Sequence, residues 1–233
     1  MALLNGRLPA ASLTPLAFAP GHRAQKDAAR SLTALSARFR REFQHDIAVT
    51  DAYRTFDQQV ALKIAKGFLA AVPGTSNHGW GLAFDLGGGI NVRTSKEHEW
   101  MQREAKHFGL DNPNWATFGA SGFQKEEPWH WEHVSNSRDG SRAVVELQNK
   151  LRKAGFLRGA ADAYWGTDTE RAWDGLMNNI RAKEATKERI KWLQTILARS
   201  YVGRLYTDRI DGVWGDHSKA AAATFHTRFS GVK

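Results

Sequence analysis

Ser76-Asn77-His78-Gly79-Trp80-Gly81-Leu82-Ala83-Phe84-Asp85 is the stretch on which the reading of this chain turns. A glycine-rich turn holding a histidine runs into an apolar strand that carries an aspartate. An ionised carboxylate in such a strand is costly unless it is paired or bound to a cation. A second cluster, Glu127-Pro128-Trp129-His130-Trp131-Glu132-His133, adds a histidine on a short Trp-rich strand, with an acid three residues before it. His78, Asp85 and His130 together offer two imidazoles and one carboxylate. Three protein ligands leave the fourth position of a tetrahedral zinc open to water, which is how a catalytic site is built. Bound zinc lowers the pKa of its water toward ~7, and a neighbouring carboxylate can pass that water's proton to a leaving amine.

Each fragment alone has a plainer reading: a polar loop histidine, a turn-forming aspartate, a strand face of ion pairs. Their joint occurrence favours the metal. His98 and His107 fall in a helix predicted over Ser95–Phe108 and read as surface residues, because His98-Glu99-Trp100-Met101-Gln102 lacks the second histidine of a helical HExxH pair. Neither a phosphate-binding glycine loop nor a G-x-S-x-G elbow is present.

Around these clusters the N-terminal region mixes helices and short strands. Spacing predicts helices over Lys26–Phe43, Phe56–Leu69 (stopped by Val72-Pro73-Gly74) and Ser95–Phe108, the last with Ser95 as N-cap. Strands are predicted at Asp46–Thr50, Leu82–Leu86 and Trp129–Val134. This is an α+β texture. Beyond the polar segment Asn136–Ser141 the chain reads as helical, with a weak repeat: Leu147 recurs as Leu193, 46 residues on, and Trp165 as Trp214, 49 residues on. Each copy is a helix, a glycine-bearing turn and a second helix, a unit that buries little alone. The expected organisation is domain 1–136, linker 137–141 and a small all-α domain 142–233.

The 233 residues are 42% hydrophobic and 24% charged, ordinary for a globular protein and unlike a disordered, collagen-like or membrane-spanning chain. No apolar run reaches the ~18 residues of a membrane span. Cysteine is absent, which excludes disulfides, thiolate metal sites and cysteine nucleophiles. Net charge is +9, and it is uneven: +2 over residues 1–136 and +7 over 137–233. The basic half suits a polyanion, or is simply a solvated helical surface. No nucleic-acid recognition motif accompanies it. The first 22 residues lack a basic start and are interrupted by Arg7, Pro9 and Pro15, so they read as mature protein without a signal peptide.

The pattern Ser-x-His-x-x-Gly-x-Ala-x-Asp at Ser76–Asp85, with Glu-x-x-His at Glu127 and His130 and Asp51-Ala52-Tyr53-Arg54-Thr55 before a helix, resembles the VanY-like D-alanyl-D-alanine carboxypeptidases and the related phage L-alanyl-D-glutamate endopeptidases, over about residues 20–135. The resemblance implies a zinc peptidase domain with a small antiparallel sheet flanked by helices. It implies His78, Asp85 and His130 as zinc ligands, Glu127 as catalytic acid/base, Arg54 as the holder of a substrate carboxylate or polarised carbonyl, and Ser76 as a substrate-binding residue. Glu132 is placed to orient a ligand; His133 has no assigned role. Residues 142–233 resemble the peptidoglycan-binding-domain-1 family, with Ala163 standing where a glycine is usual, and Trp165 and Trp214 as candidates for stacking on sugars.

Joined, the two resemblances imply a phage endolysin. It would be a monomer held in the host cytoplasm until the membrane is permeabilised, and would cut a stem-peptide amide, with L-Ala–D-Glu favoured. The C-terminal domain would bind the cell-wall polymer, with no nucleic-acid partner and no membrane insertion. The alternative is a bacterial D-Ala-D-Ala carboxypeptidase of wall remodelling. A non-catalytic zinc fold or a nucleic-acid-binding protein is remoter, since a pure binder has no need of Glu127.

Overall fold

The computed structural model describes residues 3–118, 126–134 and 140–231. Most of the linker expected at 137–141 lies outside these. The chain divides into two compact units. One comprises Met1–Leu32, Ile47–Lys106 and Leu110–Val134; the other comprises Thr33–Asp46, His107–Gly109 and Ser135–Lys233. Among the described residues no helix is long and apolar enough to cross a membrane.

The first unit is mixed α+β. A hairpin of β1 (Leu13–Leu16) and β2 (Ala19–Gln25) precedes helix α1 (Lys26–Phe43), whose residues after Leu32 group with the other unit. The main sheet is antiparallel in the order β3 (Val49–Asp51), β4 (Ala83–Leu86), β6 (His130–His133), β5 (Leu110–Asp111). Helices α2 (Phe56–Lys66), α3 (Lys96–Glu104) and α4 (Asn114–Phe118) complete it. Phe84, Leu86, Ile90, Met101 and Trp131 are buried in its core. Helix α2 starts where the sequence dictates: the Thr55 hydroxyl accepts from Gln58 N, and the Gln58 side chain accepts from Thr55 N, a reciprocal capping box. Ser95 caps α3 by accepting from His98 N at 3.0 Å. The β1–β2 hairpin was not expected. Pro15, Pro20 and Gly21 argue against strands, and are tolerated here because this is a two-stranded ribbon with open edges.

The second unit contains α5 (Ser141–Lys153), α6 (Thr167–Arg181), α7 (Lys187–Leu197) and α8 (Asp216–Phe229). The repeat seen faintly in the sequence is explicit in its hydrogen bonds. Buried Gln148 donates to Asp162 Oδ1, Tyr164 O and Thr169 Oγ1, and accepts from Ala163 N. Buried Gln194 donates to Asp211 Oδ1, Val213 O and Ser218 Oγ, and accepts from Gly212 N. One amide thus satisfies each loop, which explains why a polar side chain sits at full burial in both helices.

Gly212 has φ 78° and Ala163, its counterpart, φ 71°. A side chain at position 212 would be strained and would also press on Lys187 O. Gly212→Ala is expected to cost about 2 kcal/mol, read as a lowered thermal midpoint. An unchanged midpoint would show that this loop yields freely.

Candidate functional site

Strand register brings the candidate ligands together. In the β4–β6 ladder Asp85 lies directly opposite His130, and Ala83 opposite Glu132. Side chains alternate faces along a strand. Asp85, His130 and Glu132 therefore share one face, while Phe84 and Trp131 pair on the other and bury it. His78 comes from a single 3-10 turn, Asn77–Trp80. The turn is opened by Ser76, whose hydroxyl accepts from His78 N, and closed by Gly81 at φ 65°, a conformation that favours glycine. Gly79 has a separate reason: a Cβ there would collide with the side chains of Asn5 and Gln59. Glu127 is set by a tight turn in which Glu127 O accepts from His130 N at 3.0 Å, with Pro128 pre-setting φ at the second position.

His78 Nδ1–H donates to Ala52 O at 2.7 Å, leaving Nε2 to face Asp85 Oδ1 at 3.3 Å. His130 Nε2–H donates to Glu132 Oε1 at 2.9 Å, and its Nδ1 faces the same Asp85 oxygen at 3.1 Å. The three candidate ligand atoms all lie within 4.8 Å of one another. Bonds of 2.0–2.2 Å in a tetrahedron set ligand atoms about 3.4 Å apart, so the cluster is already near the spacing zinc needs. Each imidazole is oriented by a bond from its other nitrogen, the support that metal-bound histidines ordinarily have. The donor set and its spacing fit the ion.

Burial alone would raise the Asp85 carboxyl, but hydrogen bonds from His130 and His78 outweigh it and hold it below the usual carboxylate range. Burial likewise opposes charge on His130, yet its bonds to Asp85 and Glu132 lift it to about 9. Burial pushes Glu127 up, against the pull of His130. Burial would raise Glu132, but the bonds from His130 and Asn77, together with the nearby histidines, outweigh it and lower it.

These residues open into a cavity of about 400 Å3, lined also by Arg54, Ser76, Trp115 and Lys66. Arg54 Nε donates to Asp51 Oδ2 at 3.0 Å, and its Nη2 stands 3.8 Å from Asp85 Oδ2. The cavity thus gathers all six of the expected residues His78, Asp85, His130, Glu127, Arg54 and Ser76. Trp115 and Lys66 were not anticipated: each is a single residue with no motif around it. The Trp115 ring lies 4.8 Å from that of His130.

Two expectations need correction. His98 is buried, not a surface residue: its Nδ1–H donates to Ile90 O at 2.7 Å, and its ring meets Trp131 edge-on. Trp165 is fully buried in the second unit, its ring against Trp173 and Phe225, and so presents no face to a sugar. Trp214 instead lines a groove of about 740 Å3 with Trp173, Met177, Ile180 and Lys219.

Fold and site together define a zinc metallopeptidase. Residues 21–136 match the family VanY, D-alanyl-D-alanine carboxypeptidase, and this part of the chain is a VanY-family domain. No curated protein gives a significant match. The chain is similar to the solved vancomycin resistance D,D-dipeptidase VanXYg in complex with a D-Ala-D-Ala phosphinate analog, at 20% identity and TM-score 0.46, over 68% of this chain and 64% of that one. It is similar to the LdcB LD-carboxypeptidase at 19% identity and TM-score 0.45, over 70% and 84%. A mutant of the D,D-pentapeptidase VanY from the VanB-type resistance cassette, in complex with Zn(II), gives 25% identity and TM-score 0.42, over 71% and 98%.

Proposed function

We propose that the chain removes a C-terminal D-alanine from peptidoglycan stem peptides, with zinc held by His78, Asp85 and His130. The reading rests on one observation: within the VanY-matched stretch, the His–Asp–His cluster, Glu127 and Arg54 line a single cavity. The ion supplies Lewis-acid polarisation of the scissile carbonyl and a water of lowered pKa. Glu127 takes the water's proton at its carboxylate and returns it to the leaving amine. Arg54, braced by Asp51, presents a planar, permanently charged donor to the carbonyl oxygen or the substrate carboxylate. Glu132 keeps the His130 ring from turning.

Lys66 favours the carboxypeptidase form of the reaction. It lines the cavity, reaches Glu127 only through space and makes no direct ion pair among the described residues, so a substrate's free terminal carboxylate is a suitable counter-charge. Lys66→Gln is expected to raise KM about fivefold for a D-Ala-D-Ala peptide, in keeping with a partly exposed ion pair, with kcat unchanged and with no effect on the C-terminally amidated peptide. An equal effect on both peptides would remove Lys66 from substrate recognition.

A second reading keeps the L-Ala–D-Glu endopeptidase of a phage endolysin, stored in the host cytoplasm, with residues 142–233 as wall anchor. The paired repeats, the open groove at Trp214 and the +7 charge over residues 137–233 support the anchoring part. Mass spectrometry of digested peptidoglycan separates the two. Loss of one terminal D-Ala supports the carboxypeptidase; new N-terminal D-Glu supports the endopeptidase and sinks the first reading.

A further inference from the structure

Behind the turn that carries His78 lies a segment that the family match, which begins at residue 21, does not reach. Asn5 Nδ2 donates to Ser76 O at 2.7 Å, and Gly6 N donates to Gly79 O at 2.7 Å. Ser76 and Gly79 bracket His78, so the carbonyls on both sides of the candidate ligand are held from the N-terminal segment. The same segment is tied to helix α2. Gly6 O accepts from Phe56 N at 2.8 Å, and Asn5 Oδ1 accepts from Gln59 Nε2 at 3.0 Å. Gln59 in turn accepts from Gly74 N at 2.9 Å, at the entry to the turn. Asn5 is 7% exposed and Gln59 3%. Two polar side chains at that burial persist because each satisfies the other and the backbone around the turn. Gly6 and Gly79 let the strands of this arrangement approach; a Cβ on either would overlap Phe56 N or Asn5.

We infer that Asn5 and Gln59 are positioning residues for the metal site, fixing the His78 turn so that Nε2 points at Asp85, and that residues 5–8 belong to the working peptidase domain. Leu8 N, donating to the Tyr53 hydroxyl at 3.0 Å, ends the contact beside Arg54. The turn has only four residues; it is held besides by the His78 Nδ1 bond to Ala52 O, by Arg54 N donating to His78 O and by Gln25 Nε2 donating to Trp80 O at 2.8 Å. Without the Asn5 side chain, Ser76 O loses its donor and Gln59 Nε2 loses one acceptor, while the other two ligands stay fixed by the β4–β6 ladder.

The inference rests on the zinc reading, and its test uses the full chain with two readouts. Zinc affinity is measured by competition against a chromophoric chelator, and thermal unfolding is followed in the metal-free state. Asn5→Ala is expected to weaken zinc binding about 10- to 100-fold, the usual cost of losing a group that orients a metal ligand. Asn5→Ser, which keeps one hydroxyl able to bond a partner, should fall between Ala and the parent. Ser12→Ala, which removes an exposed local bond to Pro9 O, should match the parent. Zinc affinity within twofold of the parent in the serine and alanine variants, whatever their melting points, overturns the inference; should Asn5→Ala not fold, Asn5→Ser decides alone. A parent that binds no zinc would overturn the site reading itself, a result visible before any variant is compared.

Discussion

Glu127→Gln lowers stem-peptide hydrolysis about a hundred- to ten-thousandfold, the range general acid–base catalysis supplies, and leaves zinc uptake intact. Glutamine keeps the size and the acceptor oxygen of the side chain but takes up no proton. Glu127 reaches the cavity through the turn closed by His130 N on Glu127 O, so the substitution leaves the backbone of the ligand strand undisturbed. It is not one of the three clustered ligands. The loss should therefore fall on kcat, with KM nearly constant. Steady-state kinetics on a D-Ala-D-Ala peptide, beside metal analysis of the same preparation, checks both halves. Parent-level turnover would remove Glu127 from the chemistry. Zinc lost along with activity would instead make it a ligand.

Trp165→Ala unfolds the second unit more readily by about 3–5 kcal/mol. The indole is fully buried, its ring centroid 5.6 Å from Trp173 and 5.9 Å from Phe225. Its N–H donates to Glu170 Oε2 at 2.7 Å, and Glu170 also accepts from His226 at 2.8 Å and from Ser230 at 3.0 Å. Truncation leaves a large cavity and removes one of the donors that keep Glu170 ionised. Trp214→Ala, at a half-buried groove position, should cost much less. Urea titration followed by near-ultraviolet circular dichroism compares them; equal losses would contradict the burial. Acid should act on the same cluster. Burial opposes charge on Glu170, but the bonds from His226, Trp165 and Ser230 together outweigh it and lower the folded pKa below the ordinary 4.5. Its contribution is thus complete above that value and fades as pH falls through the folded pKa. Glu170→Gln should flatten the dependence.

The candidate cluster was legible because it combines a costly aspartate with two histidines in short, strongly patterned segments, and the antiparallel register then leaves little choice of partner for Asp85. Helix α1 and the α3 cap were legible from spacing and from a single serine. Other features resisted for physical reasons. Trp165 and Trp214 are equivalent in sequence, yet only the first is covered by Phe225 and His226 of α8; which copy of a repeat has a neighbour is not a local property. Asn5 and Ser76 are 71 residues apart and linked by one amide, a contact without periodicity. Trp115 and Lys66 acquire meaning only once the cavity exists around them. The hairpin was hidden by its prolines.

The pairing of Asp85 with His130 across β4 and β6 has one more effect. Strands slip by whole residues, and a slip of one reverses every side chain. A chain whose β6 joined β4 one residue out would set a tryptophan, Trp129 or Trp131, opposite Asp85 and would have no cluster to offer an ion. The native register is thus the one that assembles the metal-binding cluster, and the cluster in turn marks that register.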